Sequence, residues 1–245
     1  MGLSSVRAWA LDGLPEVRPG DDLAAMLGDG GYEPGDVLVV AHKVVSKAEG
    51  ALRRLEDVVV SERARELAHN HAKDPRHVQV ILDESASVVR AQRGVLICRT
   101  HHGFVCANAG VDTSNAPEDG ALVLLPRDPD ASARALRAAL PNRPAVVVAD
   151  SFGRAWRHGQ CDVAIGIAGL TPLDDWRGRR DARGLALRAT AIAVADEAAA
   201  AADLVRDKAS RQPAVIVRGL ARHVSDDDGP GAAALIRPVD EDLFG

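Results

Sequence analysis

Two of the commonest nucleotide-binding signatures are missing from this sequence: it holds no G-x-x-x-x-G-K-[ST] phosphate loop and no G-x-G-x-x-G after an apolar run. Any nucleotide it binds must be held in some other way. Aromatic residues are scarce, at 3 %, which removes the ring-stacking surfaces that single-stranded nucleic acids use and leaves a core of Val, Leu, Ile and Ala. A basic surplus is missing too. The formal net charge of -5 argues against dedicated binding of nucleic acid or of an anionic membrane, so an anionic ligand has to meet a local cluster of positive charge. The three cysteines, Cys98, Cys106 and Cys161, are odd in number and lack the paired spacing of a zinc site or a disulfide framework. No apolar run reaches the roughly 18 residues of a membrane span, and the first stretch, with Arg7 its only basic residue, lacks a signal-peptide pattern. A cytoplasmic protein with no nucleic-acid or membrane partner is expected. Its 245 residues suffice to bury a core without disulfides.

The run DVLVVA, from Asp36 to Ala41, is apolar and β-branched and follows Pro34-Gly35, which predicts a buried strand leading into a loop, KVVSKAEG. Short helices are predicted over Leu23 to Leu27 and, with Ser61 as cap, over Ser61 to Lys73. Between Val78 and Val105 the runs VQVIL, ASVVR, VLICRT and FVCA read as successive strands whose connections are too short for anything but antiparallel pairing. Asp130 to Leu140 reads as a helix ended by Pro141, and Ala145 to Ala149 as a second buried strand. A long helix is predicted over the Ala-rich Ala182 to Ala209, and a last strand over AVIVR after Pro213. Strands in runs with helices set among them predict an α+β fold of mixed and antiparallel sheets. No internal repeat or low-complexity linker marks a domain boundary.

Three clusters could carry chemistry. In KVVSKAEG, Lys43 to Gly50, two lysines and a hydroxyl follow a buried strand, a composition suited to phosphate oxygens; the plain alternative is a solvated turn. In AGVDTSN, Ala109 to Asn115, Asp112 stands among hydroxyls and an amide that can serve a hard cation, or that can simply form an Asx turn. The longest is DSFGRAWRHGQCDVAIGIAGL, Asp150 to Leu170, where Asp150 and Ser151 end a buried strand and Arg154 and Arg157 follow in what reads as one loop. Its alternative is a helix-start turn with the arginines facing water, and Gly166 and Gly169 are expected where backbones pass closely. The pair His101-His102 reads as adjacent strand residues facing opposite ways, and His69 and His71 as diverging residues of one helix, so all four are taken as structural.

Together with GLPEVRPGDDL (Gly13 to Leu23) and LIRPVDEDLF (Leu235 to Phe244), these segments resemble the coenzyme F420:L-glutamate ligase family, the F420 gamma-glutamyl ligases, over nearly the whole chain. The resemblance implies a single ligase domain over 1–245 made of two intertwined subdomains, a homodimer, and GTP as co-substrate. It also implies Mg2+ or Mn2+, as two divalent ions, and a monovalent cation such as K+. L-glutamate would be joined to the carboxylate of a phospholactyl deazaflavin precursor, with further glutamates added by γ-linkage. Carried over to this chain, the GTP contacts are Leu14, Pro15, Glu16, Val17, Lys47 and Asn115, with His42 beside them where relatives often have a small hydroxyl residue. The metal ligands are Asp112, Asp150 and Ser151. Some relatives carry a further nitroreductase domain, and with the sequence ending at Gly245 that activity is expected to be absent.

The residue types suit the implied reaction, since an amine attacks a carboxylate only once an oxygen has become a good leaving group, which an acyl phosphate supplies. Phosphoryl transfer depends on metal ions and cations that position groups and neutralise charge. Lys47, Asp112 and Asp150 are therefore the expected catalytic set, with Lys43 the less important lysine. Two rival readings are a metal-dependent phosphohydrolase, which would release phosphate from GTP without glutamate, and a non-catalytic nucleotide-binding protein.

Overall fold

A computed structural model describes residues 5–28, 30–206 and 211–242. Among these residues the strands are β1 (Arg7–Ala10), β2 (Val37–Ala41), β3 (Leu52–Arg54), β4 (Ser85–Gln92), β5 (Val95–Thr100), β6 (Val105–Ala107), β7 (Ala121–Val123), β8 (Ala145–Arg154), β9 (Arg157–Ala168), β10 (Asp174–Asp175), β11 (Ala191–Ile192) and β12 (Ala214–Arg218). The α-helices are α1 (Leu23–Leu27), α2 (His42–Ala48), α3 (Glu62–His71), α4 (Pro75–Asp83), α5 (Pro129–Ala139) and α6 (Val194–Val205). Mixed and antiparallel sheets with interspersed helices make this an α+β fold, as the sequence predicts.

A five-stranded sheet in the order β1-β12-β2-β8-β9 forms the centre. All neighbours are antiparallel except β2 and β8, which run parallel in the register Val37↔Ala145 to Ala41↔Ala149. Side chains of a strand alternate between faces, and both faces of this sheet are covered. Leu38, Val40, Val146, Val148 and Ile216 pack with Leu27, Val45 and Leu136 from α1, α2 and α5. Val37, Val39, Val147, Val215 and Val217 meet the alanines of α6, Ala195, Ala198, Ala199 and Ala202. Small residues on that helix let it sit close to a surface of valines.

The second sheet, β4-β5-β6, is an antiparallel meander. It shares a separate apolar cluster with α3 and α4, built on Leu96, Cys98, Ala64, Ala68, Val78 and Ile81. A two-stranded ribbon, β3 with β7, leads the chain between the two layers.

Four expectations are corrected. VQVIL is not a strand but part of α4, which Asp74 caps by accepting from the Arg76 N–H and Pro75 opens at its first turn. KVVSKAEG is not a loop, because α2 begins at His42 directly after β2 and closes at Gly50, whose φ of +70° suits the left-handed turn after a helix. The long helix shrinks to Val194–Val205. Upstream of it, Asp181 accepts from the Arg183 and Leu185 N–H groups, Gly184 has φ +85°, and β10 pairs with β11; the end of the expected helix at 207–209 lies outside the described residues. Lastly, Arg154 and Arg157 do not sit in a loop but face each other across a β-hairpin, since β8 runs on to Arg154 and β9 starts at Arg157.

Gly166 stands where a close approach was expected: a Cβ there would run into the Pro129 carbonyl at the start of α5. A fifth correction concerns His101 and His102, which lie in the turn after β5 rather than on a strand, with their Nε2 atoms against separate carbonyls, Asp83 O at 2.9 Å and Pro126 O at 3.0 Å. Among the described residues no helix is long and apolar enough to cross a membrane.

Candidate functional site

Helix α2 is the hub. It leaves the carboxyl end of β2 beside the parallel β8, so its first residues come level with the point where β8 passes the end of its neighbour. On a helix, residues four apart share a face, and α2 has two polar pairs of this kind, His42 with Ser46 and Lys43 with Lys47. Each reaches a different part of the sequence. His42 is buried and its Nε2 lies 3.1 Å from Asp150 Oδ1, with Nδ1 3.5 Å from Ser46 Oγ. Lys43 donates to Asp112 Oδ2 at 2.6 Å and to Ser114 Oγ. Lys47, only 5 % exposed, donates to Glu16 Oε1 at 2.5 Å.

The three motif segments that are far apart in the chain therefore meet on one seven-residue helix. Of the expected site residues, the structure brings together Glu16, His42, Lys47, Asp112 and Asp150 through these contacts. Leu14 and Val17 flank Glu16 and pack against the main core, Val17 fully buried, while Pro15 and Glu16 stay exposed. Asn115 is exposed in the turn after Asp112, with a left-handed φ of +57°. Asp112 forms the Asx turn that was one reading of its motif. Its Oδ1 accepts from the Ser114 N–H at 2.7 Å, an Asx turn, and its Oδ2 faces the Lys43 ammonium.

Electrostatics tie the two aspartates together. Burial pushes the Asp150 carboxyl up, but the His42 imidazole, the Ser151 N–H and the charge of Lys43 outweigh it and leave it below the usual range. For Asp112 burial acts in the same direction and is overcome by Lys43 and Ser114. One ammonium thus acts on both acids. A positive charge already stands where two separate carboxylates are held ready to accept one, and oxygen donors of this kind suit a hard divalent cation. Among the described residues no three His, Cys, Asp or Glu side chains form a ready-made cage, so an ion held by Asp112 and Asp150 would draw the rest of its shell from oxygens outside the protein, as Mg2+ commonly does.

Ser151 follows Asp150 on β8 and so faces the other side of the strand. Its Oγ–H donates to Asp162 Oδ1 on β9 at 2.5 Å, and Asp162 Oδ2 contacts the Arg206 guanidinium at the end of α6. Sequence reasoning missed Asp162 and Arg206 and ranked Lys43 below Lys47. An acid directly before the apolar run VAIGIA, and a cationic residue closing an Ala-rich helix, were the available signals.

Comparison with known proteins gives a consistent result. Residues 13–219 match the F420-0:Gamma-glutamyl ligase family. The chain is similar to the coenzyme F420:L-glutamate ligase of Methanothermobacter thermautotrophicus, 43 % identical with 100 % of this chain and 99 % of the relative covered. It is 45 % identical to that of Methanopyrus kandleri, with 99 % of each covered, and 43 % identical to that of Archaeoglobus fulgidus, with 88 % of each covered.

Proposed function

The chain belongs to the F420-0:gamma-glutamyl ligase family, and on that premise we propose that it joins L-glutamate to the phospholactyl carboxylate of the deazaflavin precursor at the expense of GTP. Further glutamates are added through γ-linkages. The observation that carries this reading is the convergence of Glu16, Lys47, Lys43, Asp112, His42 and Asp150 on α2, which assembles cationic and anionic groups at the carboxyl ends of two parallel strands. Ligands of open α/β sheets bind in the same relative place.

In the proposed reaction a substrate carboxylate oxygen attacks the γ-phosphorus of GTP, the bond to the β-phosphate oxygen breaks, and GDP leaves. The resulting acyl phosphate is attacked by the glutamate amine, forming the amide, with inorganic phosphate departing and the amine giving up a proton. Lys47 exchanges its Glu16 partner for phosphate oxygens, and being nearly buried it neutralises their charge in a medium of low dielectric. Glu16 and its neighbours Leu14, Pro15 and Val17, with Asn115 opposite, border the nucleotide. Asp112 and Asp150 would hold Mg2+ or Mn2+, which when bound draws charge from the transferring phosphoryl group, whereas the Ser151 hydroxyl is turned to Asp162 on the other face of β8. His42 fixes Asp150 through its Nε2 contact. The three free thiols fit a cytoplasmic setting, and the family resemblance extends the proposal to a homodimer, for which light scattering near twice the 25.8 kDa chain mass is expected.

The deciding experiment incubates the protein with glutamate-free deazaflavin, GTP, Mn2+ and L-glutamate and weighs the products. Masses increased by one or more glutamyl units are expected, with GDP and phosphate formed in step. Full-rate phosphate release without glutamate, and no heavier product, would overturn the reading in favour of a hydrolase.

A further inference from the structure

The two ends of the Lys47–Glu16 pair differ in their surroundings. The Lys47 side chain is 6 % accessible and the Glu16 side chain 58 %, with Nζ and Oε1 2.5 Å apart. Among the described residues neither has a second ion pair. Both are held in place by packing beyond the contact itself. Lys47 stands on α2, which Val45 anchors in the main core, and Glu16 lies in a segment anchored in the same core by Leu14 and the buried Val17. That segment is also tied to the end of α2, where the Gly20 N–H donates to the Ala48 carbonyl at 2.8 Å. A nearly buried ammonium is therefore met by an exposed carboxylate of the same chain.

Any anionic ligand of Lys47 has to take the place of that carboxylate. A free carboxylate gains nothing by the exchange, since it replaces a group of like charge, and the internal group has the advantage of its effective concentration. A terminal phosphate brings about two negative charges and three acceptor oxygens, and it can win the ammonium. Glutamate, the amino-acid substrate in the proposed reaction, carries two carboxylates. We propose that Glu16 is a specificity-determining residue, an internal counter-ion that reserves Lys47 for phosphate and keeps the carboxylates of the amino-acid substrate off it. The inference rests on the assignment of Lys47 to phosphate given under Proposed function.

Glu16→Gln tests it, because the amide keeps the shape and gives up the charge. Binding of a GTP analogue with a hydrolysis-resistant β–γ bridge to the full chain is measured by calorimetry at constant ionic strength. Each titration is repeated with glutarate, a dicarboxylate that lacks the amine and so does not enter the reaction. In wild type, glutarate should leave the affinity for the analogue unchanged. Glu16→Gln should bind the analogue about fivefold more tightly, the upper end for removal of a competing ion pair that is partly exposed, and glutarate should reverse that gain. Glu16→Ala, which also removes the hydrogen bond, should behave in the same way. Lys47→Ala should bind the analogue about tenfold more weakly or worse. Adding Glu16→Gln to it should recover little and bring no response to glutarate, because the acid acts through the lysine. Melting temperatures give a second readout: Glu16→Gln leaves a cation without its partner, so it should melt below wild type when free and be raised further by the analogue.

Wild-type or weaker affinity in both Glu16 variants, or a gain of equal size when Lys47 is absent, would overturn the counter-ion role while leaving the phosphate assignment intact. A glutarate response no larger in Glu16→Gln than in wild type would do the same. Unchanged affinity in Lys47→Ala would remove the phosphate assignment and the inference with it. Failure of the ligase reading shows separately, as the absence of glutamyl products from wild type.

Discussion

From Ala145 to Ala149, β8 lies between β2 and β9 with every side chain buried, whereas from Asp150 to Arg154 it pairs with β9 alone and becomes progressively exposed. The ladder is continuous across the change apart from a bulge, where Val148 pairs with Gly166 and Ala149 with Ala164. Bulges of this kind add twist and re-aim the side chains that follow. The neighbouring β2 stops at the same level and turns into α2. One strand therefore has a half whose residues fill the core and a half that carries polar residues of the proposed site.

Exchanging one residue in each half should separate the two contributions. Asp150→Asn is expected to lower kcat/KM about 100-fold or more, because the cation it would hold contributes several kcal/mol to the transition state at roughly 1.4 kcal/mol per tenfold, with little change in melting temperature. Wild-type turnover across a Mn2+ titration would refute the role given to the outer half. Lys47→Ala removes a charge-assisted hydrogen bond of roughly 1.5–3 kcal/mol to phosphate, a 10- to 150-fold loss on the order given by that energy, read from GTP saturation curves. Val147→Ala, in the inner half, should do the reverse. Two buried methyl groups and the space they leave are worth about 2 kcal/mol, which lowers the melting temperature by roughly 4–8 °C while the folded enzyme keeps its kcat.

The contrast also explains what could be read in the sequence. The inner strands were legible because a segment buried on both faces must be apolar throughout, as VLVVA and AVVVA are, and that requirement leaves a plain trace. Helix α2 left none: Ala41 offers no side-chain cap, two of its seven residues are β-branched, and four are polar, a composition that local propensity alone does not assign to a helix. Its conformation is set by the strand behind it and by Val45 packing into the core. In α4 the reverse error arose, where the apolar density of VQVIL outweighed the Asp74-Pro75 start signal. The motifs themselves were readable, but their pairing was not. Lys43 meets Asp112 across 69 positions and Asp162 meets Arg206 across 44, and no local pattern encodes such a distance.

A pH titration extends the comparison to the second sheet, where Cys106 lies opposite Cys98 beneath the outer half of β8. Burial, followed by the nearby charge of Asp150, pushes the Cys106 thiol up to about 12, and burial pushes Tyr32 in the main core up to about 12. Both groups are neutral when protonated, and the unfolded chain releases those protons first, near 9 for the thiol and near 10 for the phenol. Their stabilisation is therefore complete below pH 9 and is lost as pH rises toward 12. Each contributes a slope of up to roughly 1.4 kcal/mol per pH unit within its window. Urea unfolding between pH 9 and 11 should show this decline, and Cys106→Ala should flatten its lower part; an unchanged slope would place the alkaline loss elsewhere.

The smallest expected effect concerns Lys43, which lies at the boundary between the two behaviours. Its ammonium bonds to Asp112 and also lowers Asp150, so under the proposed function it would compete with the divalent ion for those two carboxylates. Lys43→Met keeps the length and packing of the side chain and removes the charge. Without that internal competitor, Mn2+ should bind the nucleotide-free protein more tightly. The gain is limited to about fivefold, because the pair is partly exposed, with side chains 21 % and 40 % accessible, and such pairs are worth about 1 kcal/mol at most. Turnover at saturating Mn2+ is expected to change less than in Lys47→Ala. If Mn2+ bound more weakly to Lys43→Met, Lys43 would be supporting the cation site rather than filling it, and the two lysines of α2 would have to be assigned to a single phosphate-binding face.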